Sequence, residues 1–178
     1  MMGKRTGCFM SYVNCKLCPR ECGADRAAGD FGFCGAPATA LVAKTMLHRW
    51  EEPALAGSGG SGAVFFSGCA LRCVFCQNHH ISTDCFGEAV SVERLREIYA
   101  DLIAQGAHNI NLVTASHFAP WVVQSLSPAL PVPVVWNCGG YESSEILSLL
   151  AGKVQVYLPD LKYADNALAA KLSAAPDY

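Results

Sequence analysis

Beyond residue 60, short apolar runs alternate with stretches of helical periodicity. Residues 63–66 form a run of β-favouring type, Ala63-Val64-Phe65-Phe66. From 92 to 105, Leu95, Ile98, Tyr99, Leu102 and Ile103 recur at helical spacing and Gly106 ends the pattern. A strand is predicted over 109–114 from Ile110, Leu112 and Val113, and a short helix over 120–126 with Pro120 near its start. Strand patterns follow at 132–136 and 154–158, and helical patterns at 143–150 and 165–173. Alternation of this kind predicts a parallel sheet with helical crossovers. The strands are continuous apolar runs, as expected where both faces are covered. In such a sheet, ligand chemistry gathers at the C-terminal ends of the strands.

Ahead of this region lies Gly57-Ser58-Gly59-Gly60-Ser61-Gly62, a polar and flexible composition. It predicts a boundary or mobile loop between a Cys-rich segment, 1–56, and an α/β region, 57–178. The 178 residues are 52% hydrophobic and 16% charged, which fits one core-forming domain with a small appendage. A formal charge of −2 without a run of Lys or Arg argues against nucleic-acid or anionic-membrane partners. No segment reaches the roughly 18–20 apolar residues of a membrane span, and residues 1–8 lack the apolar stretch of a signal peptide. A cytoplasmic protein is the expectation. In a reducing compartment, ten cysteines of which seven fall in two clusters point to metal before disulfides.

Two cysteine groups carry that chemistry. Ser67-Gly68-Cys69-Ala70-Leu71-Arg72-Cys73-Val74-Phe75-Cys76-Gln77-Asn78 follows the first predicted strand. Three thiolates on a four-iron cube leave one iron without a protein ligand. That open corner can be chelated by the amino and carboxylate groups of S-adenosylmethionine (SAM), whose C–S bond then breaks on one-electron reduction. No side chain is assigned a catalytic role, because the cofactors perform the hard step. Gly68 permits a sharp turn before the first ligand, and Phe75 is suited to shield the cluster. The competing reading is a four-ligand zinc site completed by His79 or His80. The second group, Cys15, Cys18, Cys22 and Cys34, offers four thiolates on a segment too small for its own core. It suits either a structural zinc or an auxiliary iron–sulfur cluster that relays electrons, with Cys8 as an alternate ligand. Cys85 and Cys138 read as inert thiols, and His48 and His108 show no partners.

These motifs resemble the radical SAM superfamily. Cys15-Lys16-Leu17-Cys18-Pro19-Arg20-Glu21-Cys22-Gly23, Gly32-Phe33-Cys34-Gly35, residues 62–69, 109–114 and Pro159-Asp160-Leu161-Lys162-Tyr163-Ala164-Asp165 resemble more particularly the pyruvate formate-lyase activating enzyme family, activases of glycyl radical enzymes. The resemblance implies a partial TIM-like (β/α) barrel of about six strand–helix units. Four are legible here, so the chain reads as C-terminally truncated relative to that family. It also implies a 5′-deoxyadenosyl radical, a flavodoxin or ferredoxin as electron donor, and hydrogen abstraction from a partner protein such as a glycyl radical enzyme. An inactive cluster-binding fragment or an electron carrier is the rival reading.

Where the superfamily often has Gly-Gly-Glu to hold the SAM amino group, this chain has Thr114-Ala115-Ser116-His117. Thr114, Ser116 and His117 are therefore candidate SAM contacts, against an ordinary loop. Asn137, in Asn137-Cys138-Gly139-Gly140, is placed to approach the ribose or methionine part, against a plain turn. Asp160 and Lys162 resemble the Asp-x-Lys segment of the activases, with Lys162 aimed at the SAM carboxylate and Leu161 facing the core. A surface ion pair is the competing reading.

Overall fold

The structure, a computed structural model, describes residues 12–178; Cys8 lies outside them. In chain order its elements are β1 (Leu41–His48), α1 (Pro53–Ala56), β2 (Ser61–Phe66), α2 (His79–Ser82), β3 (Glu88–Ala89), α3 (Val92–Ala104), β4 (Ile110–Val113), α4 (Ala119–Ser125), β5 (Val134–Cys138), α5 (Ser144–Leu150), β6 (Val156–Pro159) and α6 (Asn166–Ser173). They form an α/β fold on one six-stranded sheet of order β3-β1-β2-β4-β5-β6. The β2-β4-β5-β6 portion is parallel, as the alternation predicts. β1 and β3 extend it with antiparallel pairing.

Local chemistry sets the helix ends. The Ser91 side chain accepts from the Arg94 N–H at the start of α3, with Glu93 in the first turn. Ser143 does the same for Ile146 at α5, and Asp165 for Leu168 at α6. The two sheet faces then divide by the strand period. Val64, Phe66, Ile110, Leu112, Val134 and Trp136 pack with Leu95, Ile98, Tyr99, Leu102, Val122, Ile146 and Leu150 in the main core. The alternate positions Phe65, Val113 and Asn137 face a cleft on the other side. A second apolar cluster joins Cys18, Ala70, Leu71, Cys73, Tyr141, Tyr163 and Ala169.

The boundary expected at residue 57 falls inside a hairpin. β1 pairs with β2 from Val42↔Phe66 to His48↔Ser61, so a strand of the 1–56 segment is part of the sheet. Ser61 and Gly62 already lie in β2. A Cβ on Gly57 would stand 2.8 Å from the His108 ring, and one on Gly59 would meet the Gly106 carbonyl. These glycines serve close packing. No helix of the described residues is long and apolar enough to cross a membrane.

Candidate metal centre

The cysteine loop leaves the C-terminal end of β2. Gly68 turns there with φ +84°, and a Cβ on it would stand 2.7 Å from the Cys34 carbonyl oxygen and 3.3 Å from His117 Nε2. Only glycine fits such a left-handed, crowded position without strain. Arg72, also left-handed at φ 46°, clamps the loop by donating to the Phe33 and Thr83 carbonyls, each at 3.0 Å. The Cys69 N–H donates to the Cys34 carbonyl at 3.2 Å. Two donors already point at sulfur: the Leu71 N–H at 3.4 Å from Cys69 Sγ and the Ser82 hydroxyl at 3.3 Å from Cys76 Sγ. Hydrogen bonds of this kind stabilise thiolates and tune a cluster. Burial pushes the Cys69 thiol above its ordinary acidity range, against the lowering effect of the Arg72 and Leu71 backbone N–H groups.

A cleft of about 730 Å³ opens between this loop and the strand ends. Cys69, Cys73 and Cys76 all line it, and so do Thr114, Asn137, Asp160 and Lys162. Thr114 is a β-branched residue at φ 58°, an uncommon conformation of the sort that clusters at functional sites. Its N–H donates to the Asn137 carbonyl at 2.9 Å, locking the β4 and β5 ends together. Lys162 Nζ is 2.6 Å from Asp160 Oδ2, so this pair is both an ion pair and part of the wall. Leu161, expected in the core, is instead 86% exposed. Phe75 lines the cleft beside the last cysteine, with its ring edge-on to Tyr163 at 6.1 Å.

Ser116 and His117 depart from their expected place. A short 3-10 turn, Ser116–Phe118, carries both inward behind the wall. The Ser116 hydroxyl donates to Glu142 Oε1 at 2.5 Å. His117 is 2% exposed, with Nε2 2.7 Å from the Ser67 carbonyl. Burial, assisted by the Arg26 charge, lowers its pKa to about 3. Its role is to brace the root of the cysteine loop. Glu142, not singled out from sequence, is pushed up to about 7 by burial. Sequence reading also missed Lys44, Met46 and His48, which alternate along β1 on the cleft side, and Glu51 beyond it; Glu51 accepts from Asn111 Nδ2 at 2.7 Å. Their common cleft-facing side emerges only once β1 pairs with β2.

The donor set fits a cube with an open corner. His79 and His80, the imidazoles a four-ligand zinc site needs, are not on the cleft wall; both lie beside Asp84, at 3.8 and 3.3 Å. Among the described residues no three His, Cys, Asp or Glu side chains converge as a single-ion site. A cube spreads its thiolates wider than one tetrahedral ion does.

The N-terminal cysteines share one segment, and among the described residues they too do not converge as a single-ion site. Cys15, Cys18 and Cys34 are buried and Cys22 is exposed. The four thiols lie close enough that ionising Cys15, Cys22 or Cys34 disfavours ionising Cys18, whose thiol burial pushes up to about 12. All the described cysteines are free thiols.

Comparison with known proteins agrees on the iron–sulfur character. A model described as a 4Fe-4S single cluster domain matches residues 55–149. An uncharacterized protein of the archaeon Methanocaldococcus jannaschii is 30% identical over 177 residues, covering 94% of this chain and 51% of that protein. The chain thus spans about half the length of that curated relative. No solved structure matches. With Cys69, Cys73 and Cys76 inside the matched span and on one cleft wall, the chain belongs to the 4Fe-4S single cluster domain family.

Proposed function

We propose that this protein is a radical SAM enzyme of partial-barrel type. The observation that carries the reading is a shared wall: the three cysteines line one cleft with Thr114, Asn137, Asp160 and Lys162 at the ends of parallel strands. When bound, a 4Fe–4S cube with one open iron supplies the electron that cleaves SAM to methionine and a 5′-deoxyadenosyl radical. The chain's own residues hold and orient. Cys69, Cys73 and Cys76 are the thiolate ligands. Lys162, steadied by Asp160, offers a cation to the SAM carboxylate. Thr114 presents a hydroxyl to the SAM amino group, and Asn137 its amide to the ribose or methionine part. Phe75 limits water at the loop.

Hydrogen abstraction from a partner protein, in the manner of a glycyl-radical-enzyme activase, rests on the motif resemblance, and so does a flavodoxin or ferredoxin as electron donor in the cytoplasm. Fold and motif are weaker warrants for a substrate than for chemistry. The test is anaerobic reconstitution with iron and sulfide, reduction with dithionite and addition of SAM. Release of 5′-deoxyadenosine and methionine is expected. A reduced cluster that leaves SAM intact overturns the reading in favour of electron carriage.

A further inference from the structure

We infer that Cys15, Cys18, Cys22 and Cys34 hold a second, redox-active iron–sulfur cluster that delivers electrons to the 69–76 loop, with Arg26 as its buried counter-charge. The use of those electrons rests on the function proposed above; the second centre itself does not.

Arg26 carries the inference. It is 2% exposed and a guanidinium stays charged in any protein environment. A buried charge is costly unless paired. Among the described residues no carboxylate lies within ion-pair distance of it. Its N–H groups donate to the Ala36, His117 and Pro37 carbonyls, which solvate the head without cancelling its charge. The Tyr12 ring lies 4.3 Å beneath it. The remaining neighbour is sulfur: Nη1 is 3.9 Å from Cys15 Sγ. Four neutral thiols leave that charge uncompensated. Four thiolates around a metal cluster compensate it, since such a centre carries net negative charge.

Direction separates a relay from a structural clip. Cys22 faces solvent, whereas the other three ligands are buried. On the inner side, the Cys34 carbonyl accepts from the Cys69 N–H, and Cys18 shares an apolar cluster with Cys73. Arg20 ties the segment to the loop by donating to the Ala70 carbonyl at 2.8 Å. One corner therefore meets a solution donor and the opposite corner meets the loop. The balance is one electron: a reduced ferredoxin-class or flavodoxin-class protein is oxidised by one electron at the Cys22 side, and the Cys69/Cys73/Cys76 centre is reduced by one. The 4Fe-4S single cluster match spans residues 55–149, so this centre is additional to it.

The test uses the whole chain, reconstituted without oxygen. The Cys69→Ala/Cys73→Ala/Cys76→Ala variant is expected to retain about four irons and four sulfides and a dithionite-dependent EPR signal. Zinc in their place, or no metal, overturns the inference. Arg26→Met, checked for folding by circular dichroism, is expected to lower the midpoint potential of the retained centre, because the cation favours the more negative reduced state. An unchanged potential removes Arg26 from the account. Should Arg26→Met not fold, Arg26→Lys keeps the charge and is expected to hold the wild-type potential within error; a marked fall in that variant counts against charge compensation. In a Cys18→Ser/Cys22→Ser variant, bleaching of the remaining cluster by reduced ferredoxin is expected to be lost while bleaching by dithionite persists. Equal ferredoxin rates in variant and wild type overturn the relay. None of these readouts requires SAM cleavage, so their failure and that of the enzymatic reading are distinguishable.

Discussion

Glu142 sits behind the cleft wall with a carboxyl that burial holds protonated up to about pH 7. Its folded pKa is raised above the unfolded value near 4.5, so the fold binds more protons than the unfolded chain between those limits. Stability from this group is present below pH 4.5 and is lost as pH rises through 7. Glu142→Gln, which keeps the Ser116 contact, is therefore expected to gain stability over wild type as pH rises across that window. The gain should level off at about 3 kcal/mol above pH 7, measured by chemical denaturation of the metal-free chain at pH 5 and 8. His117 works in the opposite sense. Its pKa is depressed to about 3, so its contribution is present above pH 6.5 and lost as pH falls toward 3. At the cleft itself, the proposed SAM cleavage makes Lys162→Ala a direct test: iron content is expected to stay unchanged while the SAM concentration needed for half-maximal 5′-deoxyadenosine release rises on the order of tenfold, for a lost charge-assisted contact. Residue types at the strand ends were legible in the sequence; their directions were not. Ser116 and His117 are two and three positions beyond Thr114, yet one 3-10 turn sends them inward.

At the scale of elements, the predicted strands and helices of 63–173 lie within a few residues of those observed: the strands are short apolar runs, and α3, α5 and α6 each start at a side-chain cap. Ser91→Ala removes the α3 cap and is expected to cost about 1 kcal/mol in denaturant unfolding, with iron content intact. Gly68→Ala should do the reverse. It places a Cβ against the Cys34 carbonyl where the loop has no room to yield, and iron per reconstituted chain is expected to drop well below wild type. β1 was not legible because its burial does not alternate cleanly and its register is irregular between Val42 and Lys44. Its alternation of Lys44, Met46 and His48 toward the cleft needs the β2 ladder to become visible.

Across the whole molecule, long-range ties join what the sequence separates. Arg20 reaches the Ser173 and Ala174 carbonyls, and the Ser143 hydroxyl reaches the Leu17 carbonyl at 2.7 Å. No local pattern announces such contacts, nor the burial of Arg26. Thiols whose desolvation resists ionisation, Cys18 and Cys69 among them, must lose protons to bind iron. Iron uptake is thus expected to release protons and to weaken as pH falls below neutrality, followed by absorbance titration at pH 6 and 8. Loading should also raise the denaturant midpoint, and anaerobic chelation should lower it again. The backbone bond from Cys69 to Cys34 has a practical corollary for dissecting this protein. Trimming away the first 34 residues to obtain a minimal cluster-binding core would strand an amide hydrogen at the first cysteine of the loop, and the shortened piece would lose the very loop it was cut to isolate.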